Sequence, residues 1–497
     1  MVTTTFPQKV ASANRVRVAY RQESTYGTAA VGKYRKARFA DESIEPLKET
    51  GESNEISDDR APGESVVTKQ GGGGAINGEF SVHTFDDFIQ GSFYSSGFAQ
   101  ANFGENVTSA LISFDTNSGN QRLVGPAGSA DYWSSTVGLA SNDVIQVRGS
   151  EDPSLDGTYV VVSTVPATDP DPMVVSRIYT TFTPTVQAAG EEVQVVKVGT
   201  LVLSTITVTP DGGDATLAVF NDSGANAAFA NAAVGDLVKL SRNTGTTAND
   251  VLARITVVTD DDTVQVRRFD GSNFAADSTA SYVIDFGAEV SNGTTGSSWT
   301  IEKQNTDLTN TFKRGTGQIP DTMDLSMSPD GQVTVGFGFK GKVVETKAAT
   351  AATGLMEAAS NNVTSGSRNC TAVIQAGAEF ILRTFSVRIA NNLRENDALG
   401  QVGPIAVTEG EFSVTGEINS YKTGTANGLI AEGHLDTSLG FIIEDDNGLA
   451  AAMLAPRVKF DSAQSPTTGK NSDVVERIPW RAGKPASAAV LTYVTWI

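Results

Sequence analysis

Apolar and polar residues alternate strictly in the segment 411–420. Phe412, Val414, Gly416 and Ile418 fall on one side of an extended chain, and Ser, Thr, Glu and Asn residues fall on the other. A period of two is typical of a β-strand with one buried and one polar face. Short valine-rich runs separated by turn residues recur along the chain, so the pattern predicts a mainly β protein.

The segment 71–91 repeats the pattern of 409–433. Its strand positions Ile76, Gly78, Phe80 and Val82 fall on Val414, Gly416, Ile418 and Ser420, and Phe88 and Ile89 fall on Leu429 and Ile430. Three further matches follow the same order: 43–52 with 388–397, 298–303 with 440–445, and 323–332 with 460–470. The chain is therefore predicted to hold two copies of one unit, each with a flanking helix, beginning near Phe85 and Ala426.

Residues 101–297 interrupt the first copy and contain a repeat of their own. The segments 142–150, 158–165 and 174–179 match 235–243, 253–260 and 264–269 in order. We expect two small β modules, each a sandwich or barrel, inserted at surface turns and projecting outward.

The segment 347–377 is rich in Ala, Thr, Ser and Asn, and is expected to be a linker or arm with a short helix at 354–360. The predicted organisation is then copy one, first part (1–100), module one (101–200), module two (201–297), copy one, second part (298–346), linker (347–377) and copy two (378–497).

Carboxylates are in excess, and the formal net charge is −20. Specific binding of nucleic acid is disfavoured, because binding a polyanion needs clustered Lys and Arg. The single cysteine, Cys370, has no intrachain partner, and the first residues lack the apolar core of a signal peptide. Both features favour synthesis in a reducing cytoplasm. No apolar run is long enough to span a bilayer, so no membrane partner is expected.

No catalytic, metal or cofactor site is indicated. His83 and His434 are the two histidines, and we expect each at the surface, so neither a metal cluster nor a catalytic triad is predicted. The acidic turns at 151–157 and 259–263 lack the ligand spacing of a calcium loop. The run Gly71–Gly74 lacks the Lys and Ser/Thr of a phosphate-binding loop.

The glycine run separates an acidic segment from the strand at 75–82. We interpret it as a hinge or bulge where the chain bends, so that the acidic segment forms a long hairpin reaching away from the core. The carboxylates of this hairpin and of its counterpart in copy two are the candidate site residues Glu49, Glu52, Glu55, Asp58, Asp59, Glu64, Glu395, Asp397, Glu409 and Glu411. The candidate structural glycines are Gly71, Gly72, Gly73, Gly74, Gly78 and Gly416; at the last two, a side chain is expected to meet the flanking helix.

The assembled pattern resembles the tail tube protein, or major tail protein, of long-tailed bacteriophages. The segments that carry the resemblance include "VRVAYRQESTYGTAA", "GEFSVHTFDDFIQG", "FSVRIANNLRENDALGQVG", "GEFSVTGEINSY" and "PRVKFDSAQSPTTGKN", and they lie within 15–95 and 298–484. The resemblance implies a β-sandwich with one flanking helix per copy, whose hairpins join those of neighbouring subunits in a β-barrel around a lumen. Such rings are usually sixfold, so three two-copy chains would form a pseudo-hexameric ring.

The resemblance also implies a place and partners. The chain would be a non-enzymatic protein of the virion tail, assembled in the host cytoplasm and stacked in trimeric rings. It would contact the tape measure, tail terminator and distal tail proteins. The sequence does not distinguish a contractile from a non-contractile tail, and the non-contractile, siphovirus kind is taken as the default. Double-stranded DNA would pass through the lumen without specific binding, because a carboxylate-lined wall repels phosphates.

Two other classes of protein stay open from the residues alone. A multidomain β-sandwich adhesin or carbohydrate-binding surface protein is favoured by the inserted modules and disfavoured by the scarcity of clustered Trp and Tyr. A polysaccharide-degrading β enzyme would need a carboxylate pair at a defined separation, which no sequence spacing identifies.

Overall fold

β-Strands dominate the fold. The computed structural model describes residues 10–54, 64–100, 107–117, 120–128, 131–164, 171–178, 187–224, 227–242, 249–358, 362–401, 403–467, 469–485 and 489–497. Among these, the strands form a 19-stranded sheet system, an 11-stranded sheet and a two-stranded hairpin. The prediction of a mainly β protein with duplicated units is confirmed.

The first part of unit one contains five strands and a helix, preceded by a 3₁₀ turn at Ala13–Arg15. These elements are β1 (Val16–Gln22), β2 (Gly32–Lys36), β3 (Asp41–Glu42), β4 (Glu45–Glu52), β5 (Ser65–Glu79) and α1 (Asp86–Ser92).

The inserted segment contributes twelve strands: β6 (Val107–Asn117), β7 (Asn120–Val124), β8 (Asp143–Arg148), β9 (Gly157–Thr164), β10 (Pro172–Arg177), β11 (Gln187–Pro210), β12 (Leu217–Asp222), β13 (Leu237–Arg242), β14 (Val251–Asp260), β15 (Thr263–Arg268), β16 (Asp277–Asp285) and β17 (Ala288–Ser291). A π-helical turn at Tyr132–Thr136 and a 3₁₀ turn at Pro153–Leu155 lie between them.

The remainder of the chain completes unit one and forms unit two. Unit one ends with β18 (Trp299–Asn305), β19 (Phe312–Met327), β20 (Thr334–Gly341), β21 (Val343–Lys347) and β22 (Ala352–Met356). Unit two contains β23 (Cys370–Gln375), β24 (Ala378–Glu379), β25 (Thr384–Ala390), β26 (Arg394–Asn396), β27 (Ala406–Thr408), β28 (Ser413–Tyr421), α2 (Ala426–Glu432), β29 (Thr437–Glu444), β30 (Ala450–Phe460), β31 (Val475–Ala482) and β32 (Thr492–Trp496).

The two units have the same strand connectivity. In unit one, β1 pairs with β18, β18 with β19, β19 with β20 and β21, β20 with β5, and β5 with β3. In unit two, β23 pairs with β29, β29 with β30, β30 with β31 and β32, β31 with β28, and β28 with β25. The internal repeat in the sequence is therefore a repeat of topology.

One antiparallel pairing joins the units into a continuous sheet. The second half of β19 pairs with β20 on one side and with β25 of unit two on the other. In this junction Met323 lies opposite Ile389 and Asp324 lies opposite Arg388. Met323 and Ile389 are both almost fully buried, so the same pairing also closes a shared apolar core.

The flanking helices occur where the sequence predicts them, but their environments differ. Phe88 and Ile89 of α1 are fully buried, whereas α2 has no buried residue and Leu429 remains 60% exposed. Both helices are followed two residues later by a non-glycine residue in the left-handed region, Tyr94 at φ 53° and His434 at φ 52°. The ends of the two helices therefore repeat as well.

The inserted strands form two closed six-stranded barrels that share β11. The first half of β11 closes a barrel with β6–β10, and its second half closes a barrel with β12–β16. The strands of the sequence repeat, β8–β10 and β13–β15, occupy matching places. No break occurs at residue 200, because β11 runs unbroken from Gln187 to Pro210.

Contrary to the prediction from the sequence, the modules do not simply project outward. Both of them also pack against the rest of the chain. Val144 and Val160 of module one belong to the apolar core that units one and two share. Leu237 and Phe269 of module two pack in a cluster that contains Trp496 of unit two. The inserts enter and leave at one place, where Ala99 and Glu289 exchange backbone hydrogen bonds of 2.9 and 2.7 Å.

Segment 347–377 contains strands as well as connecting residues. Instead of the helix expected at 354–360, residues 352–356 form β22, which pairs in parallel with β2. Residues 370–375 form β23, the counterpart of β1. β23 takes part in the core of unit two, because Ala372 and Ile374 are buried.

The glycine run lies inside β5 and is not a hinge before it. β5 keeps a single register with β3 and the base of β4 across the run, from Glu42 opposite Ile76 to Glu45 opposite Gly73. A Cβ atom at Gly73 would lie 2.3 Å from the carbonyl oxygen of Phe339. The glycines therefore allow close approach of neighbouring backbones without a bend.

The paired glycines generate a stability prediction. A Cβ at Gly416 would lie 2.1 Å from the Ser386 carbonyl oxygen, whereas at Gly78 it would lie 2.8 Å from the ring of Phe85. Gly78 therefore faces Phe85, the residue directly before α1, as expected. Gly416 instead faces neighbouring strands and not the residue before α2. We expect Gly416→Ala to lower the free energy of unfolding by about 1–3 kcal/mol through overpacking, and more than Gly78→Ala, because backbone yields less than a ring.

Chemical denaturation measures this difference, and Gly424→Ala, outside α2, is the matched control, because a Cβ there meets nothing within 4 Å. Equal midpoints for Gly416→Ala and the parent chain would contradict the packing described for β28.

Candidate assembly surface

The acidic segment of unit one forms the expected long hairpin. β4 and β5 pair from Glu45 opposite Gly73 to Glu52 opposite Ser65, and almost every residue of β4 is exposed. The candidate carboxylates Glu49, Glu52 and Glu64 are all exposed, and Glu55, Asp58 and Asp59 lie outside the described residues. Leu47 and Val66 on this hairpin are 50% and 57% exposed. The hairpin therefore presents both charge and apolar surface to its surroundings.

The counterpart hairpin in unit two, β26–β27, lies against the first. Nζ of Lys69 on β5 lies 2.7 Å from Glu395 and 3.2 Å from Asp397. Hydrogen bonds to these two carboxylates raise the pKa of Lys69. Glu409 and Glu411 are exposed, and their backbone carbonyls accept hydrogen bonds from the side chains of Arg394 and Asn392. One lysine of the first hairpin thus binds two of the candidate acids and balances one of their two negative charges.

The continuous sheet has one polar face, as the alternation in the sequence predicts. Its charged side chains are largely paired across strands. Asp324 accepts a 3.2 Å hydrogen bond from Arg388 across the junction of the two units. Arg477 Nε lies 2.7 Å from Glu417 and holds the pKa of that carboxyl below its usual range, and Arg481 donates to Asp461 from two of its nitrogens, Nε and Nη2. This face is polar without being strongly acidic.

A buried charged cluster fixes module one to both units of the duplicated fold. His83 Nδ1 lies 2.6 Å from Asp86 Oδ2, and its Nε2 lies 2.8 Å from Asp156 Oδ2 on module one. Arg148 of module one also binds Asp86, and the hydroxyl of Tyr493 on β32 donates to Asp86 at 3.3 Å. Burial opposes the charged imidazole, but hydrogen bonds and charges from both aspartates outweigh it and raise the pKa of His83 to about 9.

The expectation that His83 lies at the surface is wrong, because its side chain is only 11% exposed. His434 is exposed, as expected. Sequence reasoning missed the cluster because three of its members, Arg148, Asp156 and Tyr493, lie far from His83 in the chain. Both ring nitrogens of His83 have carboxylate partners, so the geometry fits a structural clamp.

Comparison with known proteins gives the family. The family model described as phage tail tube protein matches residues 13–482, nearly the whole chain. The chain belongs to the phage tail tube protein family. No curated protein matches the sequence.

Family membership makes this a structural protein of the phage tail, which assembles into a tube with other tail proteins. The match gives no support to the adhesin or glycosidase alternatives. Within the described ranges, no group of His, Cys, Asp and Glu side chains is placed to hold a metal ion. Across those same ranges, no helix combines the length and apolarity needed to cross a bilayer.

The clamp in this tail tube protein predicts a pH dependence. The ordinary pKa of histidine is near 6.5 and the folded-state value is near 9, so protonated His83 stabilises the fold fully below pH 6.5. That stabilisation is lost as the pH rises through about 9. We expect the thermal midpoint to fall between pH 6.5 and 9.5, and to fall less in His83→Asn.

Differential scanning calorimetry measures both midpoints, with His434→Asn, at an exposed histidine outside the clamp, as the control. A His83→Asn profile that superimposes on the parent's would show that the clamp does not titrate in this range.

Proposed function

We propose that this chain polymerises into stacked trimeric rings that form the hollow tail tube through which phage DNA passes into the host. The observation that carries the proposal is the junction of β19 with β25, which joins two tube units of one chain edge to edge in a continuous sheet. Three such chains supply six units, and repetition of the same kind of contact between chains closes a pseudo-hexameric ring.

The exposed hairpins support contacts between subunits. Apolar side chains at 50% exposure or more, such as Leu47 and Leu399, lie on both hairpins. A tube assembled from such subunits covers these side chains and the unpaired edges of the sheet, which otherwise promote aggregation.

The polar face of the sheet is proposed to line the lumen. Its acids and arginines neutralise one another, so DNA meets a wall that holds few free cations, while the exposed carboxylates of the hairpin add repulsion. Double-stranded DNA then passes without specific binding. The tape measure, tail terminator and distal tail proteins are the expected partners of the ends and interior of the tube. The tail is proposed to be non-contractile and assembled in the host cytoplasm.

Assembly is tested with the purified chain. Mass photometry at low concentration should show a species of three chains, and negative-stain microscopy at high concentration should show hollow tubes. A chain that stays monomeric across the whole concentration range and under added crowding agents would contradict the proposed self-assembly.

The lumen charge is tested by reversal of exposed acids on the hairpin. Glu52→Lys with Glu64→Lys adds cations without touching the buried face of β5, so tubes should assemble. Each lysine–phosphate contact must break as DNA advances, so ejection should slow, and slow most at low ionic strength.

The matched control is Asp260→Lys with Asp261→Lys, the same change in charge on an exposed turn of module two. Ejection from phage that carry each variant tail is timed by DNA release. Equal ejection times for both variants at low salt would show that the hairpin acids do not face the DNA path.

A further inference from the structure

The sheet that joins the two units ends in two edges, one in each unit. In unit one, β19 has a partner strand on both sides of its second half, β20 and β25. Its counterpart β30 pairs there with β31, and the opposite side of Val458 pairs with Thr437 of β29. Beyond Val458, no described strand pairs with the opposite side of residues 459–463. Likewise β3 pairs with β5, and among the described strands none covers its other side. We call these the β30 edge (459–463) and the β3 edge (38–43).

The hydrogen-bonded ladders fix which residues of the two units are equivalent. Asn77, just before Gly78, lies opposite a residue of β20 that in turn lies opposite Asp324 of β19. In the same way Thr415, just before Gly416, lies opposite a residue of β31 that in turn lies opposite Lys459 of β30. Lys459 is therefore the counterpart of Asp324. On the opposite side of β5, Asn77 lies opposite Asp41 of β3, and on the opposite side of β28, Thr415 lies opposite Arg388 of β25. Asp41 is therefore the counterpart of Arg388.

These equivalences differ by two residues from those of the sequence matches. The match of 323–332 with 460–470 places Met323 on Phe460, whereas the ladders place Leu325 there. The match of 43–52 with 388–397 places Ile44 on Ile389, whereas the ladders place Glu42 there. A shift of two keeps every side chain on the same face of a strand, so the buried pattern alone does not reveal it.

We infer that the β30 edge of one chain pairs antiparallel with the β3 edge of the next chain, in the register that places Lys459 opposite Asp41. The inference rests on the self-assembly proposed above and adds which strands meet and which residues face each other. It copies the internal junction, where Asp324 lies opposite Arg388, and the opposed pair again carries opposite charges.

The charges also select the order of the chains. The β30 edge carries Lys459 where β19 carries Asp324, and the β3 edge carries Asp41 where β25 carries Arg388. Pairing β30 with another β25-type strand would oppose Lys459 to Arg388, and pairing β19 with β3 would oppose Asp324 to Asp41. Both alternatives bring like charges together, so unit two of one chain selects unit one of the next.

Both side chains reach solvent at their edges. Asp41 is exposed, and one of its oxygens accepts a 2.7 Å hydrogen bond from Asn77 of β5. Lys459 is 36% exposed. Its Nζ donates a 2.8 Å hydrogen bond to the His434 carbonyl oxygen and lies 3.4 Å from Asp436, a carboxylate that Arg457 also binds at 3.1 Å. Asp436 therefore keeps a partner when Lys459 turns toward a neighbouring chain.

A neighbouring apolar pair supports the same contact. Leu393, beside the internal junction, is buried against Tyr94 and Ile319. Leu47, which follows the β3 edge in the chain, is 50% exposed, and Leu435, next to the His434 carbonyl that Lys459 binds, is 54% exposed. The proposed pairing brings Leu47 of one chain to the same region of the next chain's unit two as Leu435, where each loses its exposure to water.

Cysteine cross-linking tests the register in assembled protein. The variant Asp41→Cys with Lys459→Cys, made in a Cys370→Ser chain, is oxidised with copper phenanthroline and separated without reductant. Directly opposed residues of an antiparallel pair have Cβ atoms about 4.5–5.5 Å apart, close to disulfide range. We expect most of the protein to shift from the monomer band to covalent dimers and trimers.

Two matched variants complete the test. Asp324→Cys with Arg388→Cys should cross-link within the chain and stay at the monomer position, and Ser43→Cys with Lys459→Cys reports the register shifted by two. Separately, Asp41→Lys should abolish assembly, and Asp41→Lys with Lys459→Asp should restore it.

The outcomes separate this inference from the proposed function. Tubes that form while Asp41→Cys with Lys459→Cys gives only monomer, or cross-linking that prefers the Ser43→Cys variant, would overturn the register and leave tube formation intact. Failure of the unsubstituted chain to assemble at all would overturn the proposed function instead. Assembly that is unaffected by Asp41→Lys would overturn the role of the charge pair.

Discussion

The antiparallel pairing of β19 with β25 is the contact on which the rest of the structure depends. A strand at the edge of a sheet presents backbone N–H and C=O groups that need partners. At this junction each tube unit satisfies the other's edge, with Met323 and Ile389 buried beneath it and Asp324 paired with Arg388 above it. Among the described strands, the duplicated sheet still has one unpaired edge in each unit. In the proposed ring, these two edges pair between neighbouring chains through backbone hydrogen bonds and a pair of opposite charges, as at the internal junction.

The inserted modules brace this duplicated sheet. Their barrels are closed by a shared strand, so they add no new exposed edge of their own, and they pack on the tube units through apolar clusters. The clamp around His83 and Asp86 ties module one to both units at once, because Tyr493 comes from the last strand of unit two. Module one therefore connects the two units at a second place, in addition to the junction of β19 with β25.

Much of this architecture is predictable from the sequence, because alternation and repeats record which face of each strand is buried. The duplicated unit, the long hairpin and both flanking helices follow from such patterns. Three features do not. The register of the repeat is ambiguous by two residues, since that shift preserves every face. His83 gives no local sign of burial, because its partner Asp156 lies on another module. The glycine run signals close backbone approach and a bend equally well, and only the position of Phe339 distinguishes them.

Cryo-electron microscopy of assembled tubes tests the central claim most directly, that the junction inside the chain is the template for the junction between chains. The account predicts rings of three chains with six tube units, in which the β30 edge of each chain continues the sheet of the next at the β3 edge, with Lys459 beside Asp41. Rings of six chains, or tubes in which these two edges face solvent, would contradict it.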